Sequence, residues 1–204
     1  MSYARHTLCY LNPTTTVASQ HSEEQQRLFQ YWLNRGYPFI CSRQPQDLAF
    51  GKIQLALPYF NQQQQKLRIS YQVSKSEITQ SKELPKLNEV FPSALLEIPA
   101  DIKVYGSYCW QYLTQEAYVQ PDSDLDVLIN YTAQSLTDLR GLYKELSHKS
   151  KVLHIDGEVR FHHWGDCSLL ELLQNSDSIL FKSINNVLLL SREDLYAAYP
   201  SLCF

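Results

Sequence analysis

The chain has 204 residues, of which 44% are hydrophobic and 19% are charged, and its formal net charge is -3. These values are typical of an ordinary soluble globular protein, with enough residues for one large domain or two small ones. They argue against a general nucleic-acid-binding protein, which would carry a basic patch or stripe, so nucleic acid is not an expected partner.

The cysteine pattern and the hydropathy of the chain predict where the protein is located in the cell. The five cysteines are odd in number and contain no C-x-x-C pair, which predicts reduced, mostly buried thiols and a cytoplasmic protein. No run approaches 18 apolar residues, so we expect no transmembrane helix and no membrane partner. The N-terminus lacks the long apolar core of a signal peptide.

The first half of the chain alternates between apolar strand patterns and one amphipathic helix. Ser22 followed three residues later by Gln25 is a capping-box pattern that marks a helix start. Two alternating runs around a glutamine-rich loop predict an antiparallel hairpin. The predicted elements are strands around residues 8–11, 37–43, 52–58 and 67–73, a helix over 22–36, and a helix over 87–96 interrupted near Pro92.

The second half changes to a strand, turn, helix, strand order. The predicted elements are strands over 102–105, 125–129, 151–161, 179–183 and 187–190, and helices over 110–113, 135–150, 168–174 and 192–199. A composition shift near residue 95 predicts a smaller α/β N-terminal domain over 1–95 and a catalytic domain over 96–204. The fold class is therefore predicted as α+β, with a mixed sheet and helices in the C-terminal half.

Asp124 and Asp126 lead into an apolar run and predict a metal site. If that run is a strand, side chains two residues apart share a face, so both carboxylates point the same way. Two like charges so close are unfavourable without a cation, and a divalent ion with oxygen ligands is the usual answer. Gly106 and Ser107, after the preceding strand, predict a tight turn whose backbone N–H groups suit phosphate oxygens. This combination indicates metal-assisted phosphoryl or nucleotidyl transfer.

A third carboxylate is predicted on the strand over 151–161. Asp156 and Glu158 lie on the face opposite to the apolar residues of that strand, so each can reach the metal site if the two strands are neighbours. Either residue can serve as a metal ligand or as a general base. The longer side chain of Glu158 gives it the greater reach.

Residues 102–160 resemble the polymerase-β-type nucleotidyltransferases. The signature of that group is a Gly-Ser turn, an Asp-x-Asp strand and a third carboxylate on an adjacent strand. The resemblance implies a nucleotidyltransferase-type mixed sheet in the C-terminal half.

A more specific resemblance covers nearly the whole chain. The chain resembles the malonate decarboxylase holo-acyl carrier protein synthases, which are phosphoribosyl-dephospho-CoA transferases. It departs from them at Gln115, where a glycine is expected. The matching segments are 5–8, 36–39, 42–44, 66–69, 106–114, Tyr118, 123–126, 156–158 and 180–182.

This resemblance implies a reaction and its participants. The family moves a 5′-phosphoribosyl-dephospho-CoA unit from 2′-(5″-triphosphoribosyl)-3′-dephospho-CoA to a serine of the decarboxylase's acyl carrier protein, and pyrophosphate leaves. Asp124 and Asp126 are then expected to bind two Mg²⁺ ions. Gly106 and Ser107 are expected to hold the triphosphate, and Lys182 to neutralise the leaving pyrophosphate.

The N-terminal half is expected to help bind the donor and the carrier protein. Arg43 and Arg68 are expected to bind phosphates or ribose of the donor, because the guanidinium fork suits phosphate. The N-terminal domain is expected to serve as a lid and docking surface for the donor and the carrier protein. Two alternatives stay open: a minimal nucleotidyltransferase that uses ATP on a protein or small molecule, and a catalytically inactive carrier-protein binding module.

Overall fold

The computed structural model describes residues 3–17, 21–60, 65–92, 101–150 and 154–203. The chain divides into two compact units, Met1–Glu83 and Leu84–Phe204. The domain boundary predicted near residue 95 lies outside the described residues.

The N-terminal unit is an antiparallel sheet with one long helix. The sheet order is β4-β3-β2-β1-β5, and β3 and β4 form the predicted hairpin. Its elements are β1 (Leu8–Leu11), α1 (Glu23–Asn34), β2 (Phe39–Cys41), β3 (Lys52–Phe60), β4 (Lys66–Ser74), a short 3-10 helix (Lys75–Glu77) and β5 (Ile78–Lys82).

Helix α1 begins at the predicted capping box and packs its aromatic side chains on the sheet. The Ser22 hydroxyl accepts the Gln25 N–H, and the Gln25 side chain accepts the Ser22 N–H. The buried Phe29 ring lies 5.2 Å from Phe39 and 4.9 Å from Tyr71, measured between ring centroids. Burying these large rings supplies much of the hydrophobic stabilisation of this unit.

Strand β5 was not predicted from the sequence. Four of its five residues are exposed, and the segment carries no apolar alternation. It forms because its backbone pairs with β1 at the edge of the sheet, from Leu8 opposite Lys82 to Leu11 opposite Ile78. A strand held mainly by backbone pairing has no hydrophobic period to reveal it.

The C-terminal unit is built on a six-stranded mixed sheet of order β11-β10-β9-β8-β7-β6. Among the described strands of this sheet, β7 and β8 alone pair in parallel, and α4 makes the crossover between them. The predicted α+β class and the mixed sheet are confirmed. The elements are α2 (Leu87–Val90), β6 (Ile102–Val104), α3 (Gly106–Thr114), β7 (Leu125–Asn130), α4 (Leu136–Ser150), β8 (Ile155–Phe161), β9 (Gly165–Ser168), α5 (Leu169–Leu173), β10 (Ser178–Lys182), β11 (Val187–Ser191), α6 (Arg192–Ala198) and a final 3-10 helix (Pro200–Cys203).

Two local predictions for this unit were wrong. Helix α3 begins at Gly106, four residues before the predicted start, so Gly106 and Ser107 form its first turn rather than a free-standing turn. Tyr105 occupies the N-cap position and its side chain does not cap the helix, so the usual sequence signal for a helix start is missing. The turn expected around Asp166 is strand β9, whose four residues are too few to show a period.

The cysteines are free, as predicted. Cys9, Cys41, Cys109 and Cys167 are buried and Cys203 is exposed. Burial raises the pKa of Cys9 and of Cys41 to about 12. The neighbouring Cys41 raises the pKa of Cys9 further, whereas the positive charges of Arg68 and Lys75 lower that of Cys41. These two thiols are therefore protonated and unreactive at neutral pH.

Candidate active site

The parallel pairing of β7 and β8 places acidic side chains on one face of the C-terminal sheet. Asp126 lies directly opposite Asp156, and Leu128 lies opposite Glu158. Because side chains two residues apart share a face, Asp126, Asp156 and Glu158 point to the same side. The prediction of a third carboxylate required the strands that carry Asp126 and Asp156 to be neighbours, and they are.

Asp124 lies in the loop that precedes β7 and not on the strand itself, which begins at Leu125. Its side chain is exposed, whereas Asp126 is half-buried. The loop turns through a hydrogen bond from the Ser123 N–H to the Gln120 carbonyl (3.0 Å), and the Ser123 hydroxyl accepts the Gln120 N–H at 2.9 Å. Asp124 therefore lies next to the candidate metal site as a loop residue, directly before Leu125, the first residue of β7.

The carboxylates are close enough to influence one another. Desolvation raises the pKa of Asp156, and the negative charges of Glu158 and Asp124 raise it further, while Lys182 lowers it. A raised carboxyl pKa shows that the folded chain disfavours another negative charge at this point. A bound cation would remove that penalty, and oxygen ligands of this type are those that Mg²⁺ prefers.

Gly106 makes room for the Asp126 carboxylate. The Gly106 φ is +67°, and a Cβ atom built there would lie 1.7 Å from Asp126 Oδ2. The Tyr105 N–H donates to the Asp126 carbonyl at 3.0 Å, which ties the start of α3 to β7. The start of α3 and the Asp126 side chain are thus packed against each other, and only glycine fits between them.

Ser107 is fully buried, with no exposed surface. Its hydroxyl is therefore turned into the protein, and the backbone of the first turn of α3 is the part of this segment suited to an anion. The N–H groups of a first helical turn carry partial positive charge.

Lys182 on β10, two strands away from β8, lies on the same sheet face as the acidic residues. Its Nζ lies 3.6 Å from Glu158 Oε1. The Glu158 side chain is only 9% exposed, whereas the Lys182 side chain is 44% exposed. The structure therefore brings the partly exposed Lys182 side chain together with the predicted third-carboxylate strand.

A second ion pair lies on the same face. The Arg160 guanidinium binds both oxygens of Asp166, with distances of 2.7 Å from Nε to Oδ1 and 2.9 Å from Nη2 to Oδ2. Asp166 is 1% exposed. Sequence reasoning missed Asp166 because it was assigned to a turn, and β9 is too short to reveal its buried face.

Replacing Arg160 by glutamine is expected to lower the free energy of unfolding by about 3 kcal/mol, since it leaves the buried Asp166 charge without its bidentate partner. Urea denaturation measures this loss. The matched control is Lys149→Gln, which removes a partly exposed i,i+4 pair with Glu145 on α4 and is expected to cost less than about 0.5 kcal/mol. Equal losses would contradict the assignment of a stabilising buried pair.

Arg43 and Arg68 lie in the N-terminal unit. Arg43 is exposed and follows β2, and Arg68 lies on β4 opposite Pro58. Desolvation and the nearby positive charge of Arg5 lower the pKa of Arg68. Arg5 was not among the predicted site residues, although it lies in the segment 5–8 that resembles the family.

The comparisons with known proteins cover both halves of the chain. The family model for the phosphoribosyl-dephospho-CoA transferase MdcG N-terminal domain matches residues 4–83, and the model for the MdcG C-terminal domain matches residues 67–193. No solved structure matches the chain significantly. Within the described ranges, none of the helices has the length and apolar character that a membrane span requires.

Three curated relatives carry the name phosphoribosyl-dephospho-CoA transferase. The protein of Xanthomonas axonopodis pv. citri is 28% identical over 211 residues, covering 95% of this chain and 97% of the relative. That of Xanthomonas euvesicatoria pv. vesicatoria is 26% identical over 208 residues, covering 94% and 96%. That of Bradyrhizobium diazoefficiens is 34% identical over 94 residues, covering 45% of this chain and 41% of the relative.

A mixed sheet with carboxylates and a lysine converging on one face suits enzymes that act on phosphate-bearing substrates. The C-terminal family model alone spans more than half of the chain. The chain belongs to the phosphoribosyl-dephospho-CoA transferase family, and it is therefore an enzyme of the transferase class. The family predicted from the sequence is confirmed.

Proposed function

We propose that this chain transfers a 5′-phosphoribosyl-dephospho-CoA unit from 2′-(5″-triphosphoribosyl)-3′-dephospho-CoA to a serine of the malonate decarboxylase acyl carrier protein, and releases pyrophosphate. The observation that supports this most strongly is the similarity to a named phosphoribosyl-dephospho-CoA transferase over 95% of this chain and 97% of that relative. A match of that extent includes both units, so the proposal concerns the whole chain.

The proposed reaction is one displacement at phosphorus. The serine Oγ forms a bond to the α-phosphorus of the donor triphosphate. The bond between that phosphorus and the oxygen leading to the β-phosphorus breaks, and its electron pair leaves with pyrophosphate. The hydroxyl proton passes to water. Positioning and charge compensation supply most of the rate in reactions of this kind.

Asp124 and Asp126 are the proposed Mg²⁺ ligands, with Asp156 or Glu158 as the third carboxylate. Their fit to the ion is supported by the donor set, by the opposition of Asp126 and Asp156 across β7 and β8, and by the space that Gly106 leaves for Asp126. When bound, Mg²⁺ would offset the charge of the triphosphate oxygens and of the attacking oxygen. A polymerase-β-type nucleotidyltransferase site is part of this proposal.

The remaining predicted residues are proposed to bind the donor. The backbone at Gly106 and Ser107 presents the positive end of α3 to phosphate oxygens. Lys182 adds a positive charge, on a partly exposed side chain, to the same sheet face as the acids. Arg43 and Arg68 are proposed to contact phosphate or ribose groups, and the N-terminal unit is proposed to dock the donor and the carrier protein. The free thiols support a cytoplasmic location.

The test is intact-mass analysis of an apo acyl carrier protein incubated with the chain, Mg²⁺ and the triphosphoribosyl donor. We expect a mass gain equal to the phosphoribosyl-dephospho-CoA group, together with release of pyrophosphate. A parallel reaction contains ATP in place of the donor. Transfer of an adenylyl group from ATP alone would overturn the proposed donor, and no mass gain in either reaction would favour an inactive binding module.

A further inference from the structure

Strand β11 forms one edge of the C-terminal sheet and presents apolar side chains to solvent. Among the described strands it pairs with β10 alone. Its exposed side chains are Val187 (45% exposed), Leu188 (44%) and Leu189 (62%). Val187 and Leu189 lie on one face of the sheet and Leu188 lies on the other, so the exposure follows the edge and not a single face. An exposed apolar edge strand is a template for pairing with another chain.

The other three edge strands of the two described sheets do not have this character. Strand β4 carries Lys66 and Arg68, and charged residues on an edge discourage pairing. Strand β5 has one apolar residue, Ile78, among its five, and β6 is buried at all three of its positions. Strand β11, by contrast, lies in a run over 183–191 that contains neither a charged residue nor a proline.

The hydrogen bonds of the hairpin formed by β10 and β11 show which backbone groups point outward. The Ser183 N–H donates to the Asn186 carbonyl at 2.8 Å, which makes these two residues a hydrogen-bonded pair. Hydrogen-bonded and non-hydrogen-bonded pairs alternate along antiparallel strands, so Val187 and Leu189 are in non-hydrogen-bonded pairs with β10. The Leu180 N–H, opposite Leu189, agrees with this, because it donates to a glutamate side chain of α5. The N–H and C=O groups of Val187 and Leu189 therefore point away from β10, toward the edge.

We propose that β11 pairs antiparallel with the β11 of a second copy of this chain, about a two-fold axis at Leu189. In this register Leu189 lies opposite Leu189 of the other copy, and the outward N–H and C=O groups of the two residues bond to each other. Leu188 lies opposite Leu190 of the other copy in non-hydrogen-bonded pairs, where side chains approach most closely. The two six-stranded sheets join into one.

The charge distribution along this edge favours a second copy as the partner. A two-fold axis brings each stretch of chain against the same stretch of the other copy, so charges near the axis would repel one another. Residues 183–191 contain none. Arg192, the first charged residue after them, donates to the carbonyls of Ser176 and Leu172 within its own chain, and it would lie opposite Asn186 of the other copy. Apolar side chains meet apolar side chains at the three central positions.

The small size of this edge predicts a weak dimer. A standard interface takes about 20–30 residues from each partner, and β11 with its turn and α6 supplies fewer. We therefore expect a Kd in the micromolar range, roughly 10–100 μM. Because both copies use the same strand edge, the pairing closes at two chains.

Sedimentation velocity of the full chain tests the association. The chain is measured from about 1 μM to about 200 μM, which spans the expected Kd. We expect the weight-average mass to rise with concentration from 23.7 kDa towards twice that value. A chain that stays monomeric throughout, or that forms species larger than a dimer, overturns the inference.

Leu189→Lys tests the strand and its register. The change places like charges on the two-fold axis and removes an apolar contact from both copies, so we expect the Kd to rise about tenfold or more. The matched control is Leu67→Lys on β4, which alters a leucine that is 47% exposed on a different edge strand and should leave the Kd within about twofold. A Leu189→Lys variant with the wild-type Kd contradicts the inference.

Mixing two variants separates lost pairing from lost folding. Leu189→Glu alone is expected to be as weakly associated as Leu189→Lys, for the same reason. An equimolar mixture of the two brings opposite charges together at the axis, so we expect the mixture to associate with a Kd near that of wild type. An unfolded variant would not recover in this way. A mixture that stays monomeric overturns the pairing about Leu189.

Discussion

Replacement of Asp126 by asparagine is expected to abolish transfer, with a fall in kcat of about 10³-fold or more. Asp126 lies where β7, β8 and the start of α3 meet, and it is the acid that Gly106 accommodates. Charge compensation by a metal ion is worth several kcal/mol in the transition state, and each 1.36 kcal/mol corresponds to about a factor of ten in rate. An amide keeps the shape of the side chain and loses the charge.

Stability is expected to change little in the same variant. Asp126 lies directly opposite Asp156 in the pairing of β7 with β8, so we expect loss of its charge to relieve repulsion between these two acids in the metal-free chain. We expect the melting temperature of Asp126→Asn to stay within about 3 °C of wild type, which corresponds to a change of no more than about 1 kcal/mol in the free energy of unfolding for a chain of this size. Differential scanning calorimetry and the intact-mass transfer assay measure the two quantities.

Asp122→Asn is the matched control. Asp122 is exposed and precedes the loop residue Asp124 by two positions, and it has no assigned role in the site. It should transfer at the wild-type rate. If Asp126→Asn retains most of its activity, or if both variants lose it equally, the carboxylates do not form the proposed metal site.

Gly106→Ala is the second change expected to have a large effect. The added Cβ would lie 1.7 Å from Asp126 Oδ2 and 2.5 Å from its Cγ, so the carboxylate must rotate away. The positive φ of +67° adds a backbone cost of about 1–2 kcal/mol for any residue with a Cβ. Displacing a reacting or ligating group by about 1 Å lowers rates by about 10²-fold, and we expect at least that loss in kcat.

The control for Gly106→Ala is Gly141→Ala on α4. A Cβ at Gly141 meets nothing within 4 Å, and alanine is preferred over glycine inside a helix by about 0.5–1 kcal/mol. That variant should be as active as wild type and slightly more stable in urea denaturation. Full activity in Gly106→Ala would show that the Asp126 carboxylate does not need its observed position.

Much of the local structure followed from the sequence because short-range signals specify it. The capping box at Ser22 and Gln25, the hairpin of β3 and β4, and the alternation of β8 were all predictable from residue spacing. Helix α3 and strand β9 were misassigned because neither shows a cap or a period. Edge strand β5 was missed because backbone pairing with β1 supports it without apolar side chains.

The sequence by itself determined the family, the α+β class and the acidic residues available for a metal site, because motif spacing and strand alternation are properties of neighbouring residues. Only the tertiary structure decided which acids meet. The parallel register of β7 and β8 sets Asp126 opposite Asp156, and the pairing through β9 and β10 delivers Lys182 to Glu158. Register and burial depend on contacts between distant segments, which local spacing does not contain.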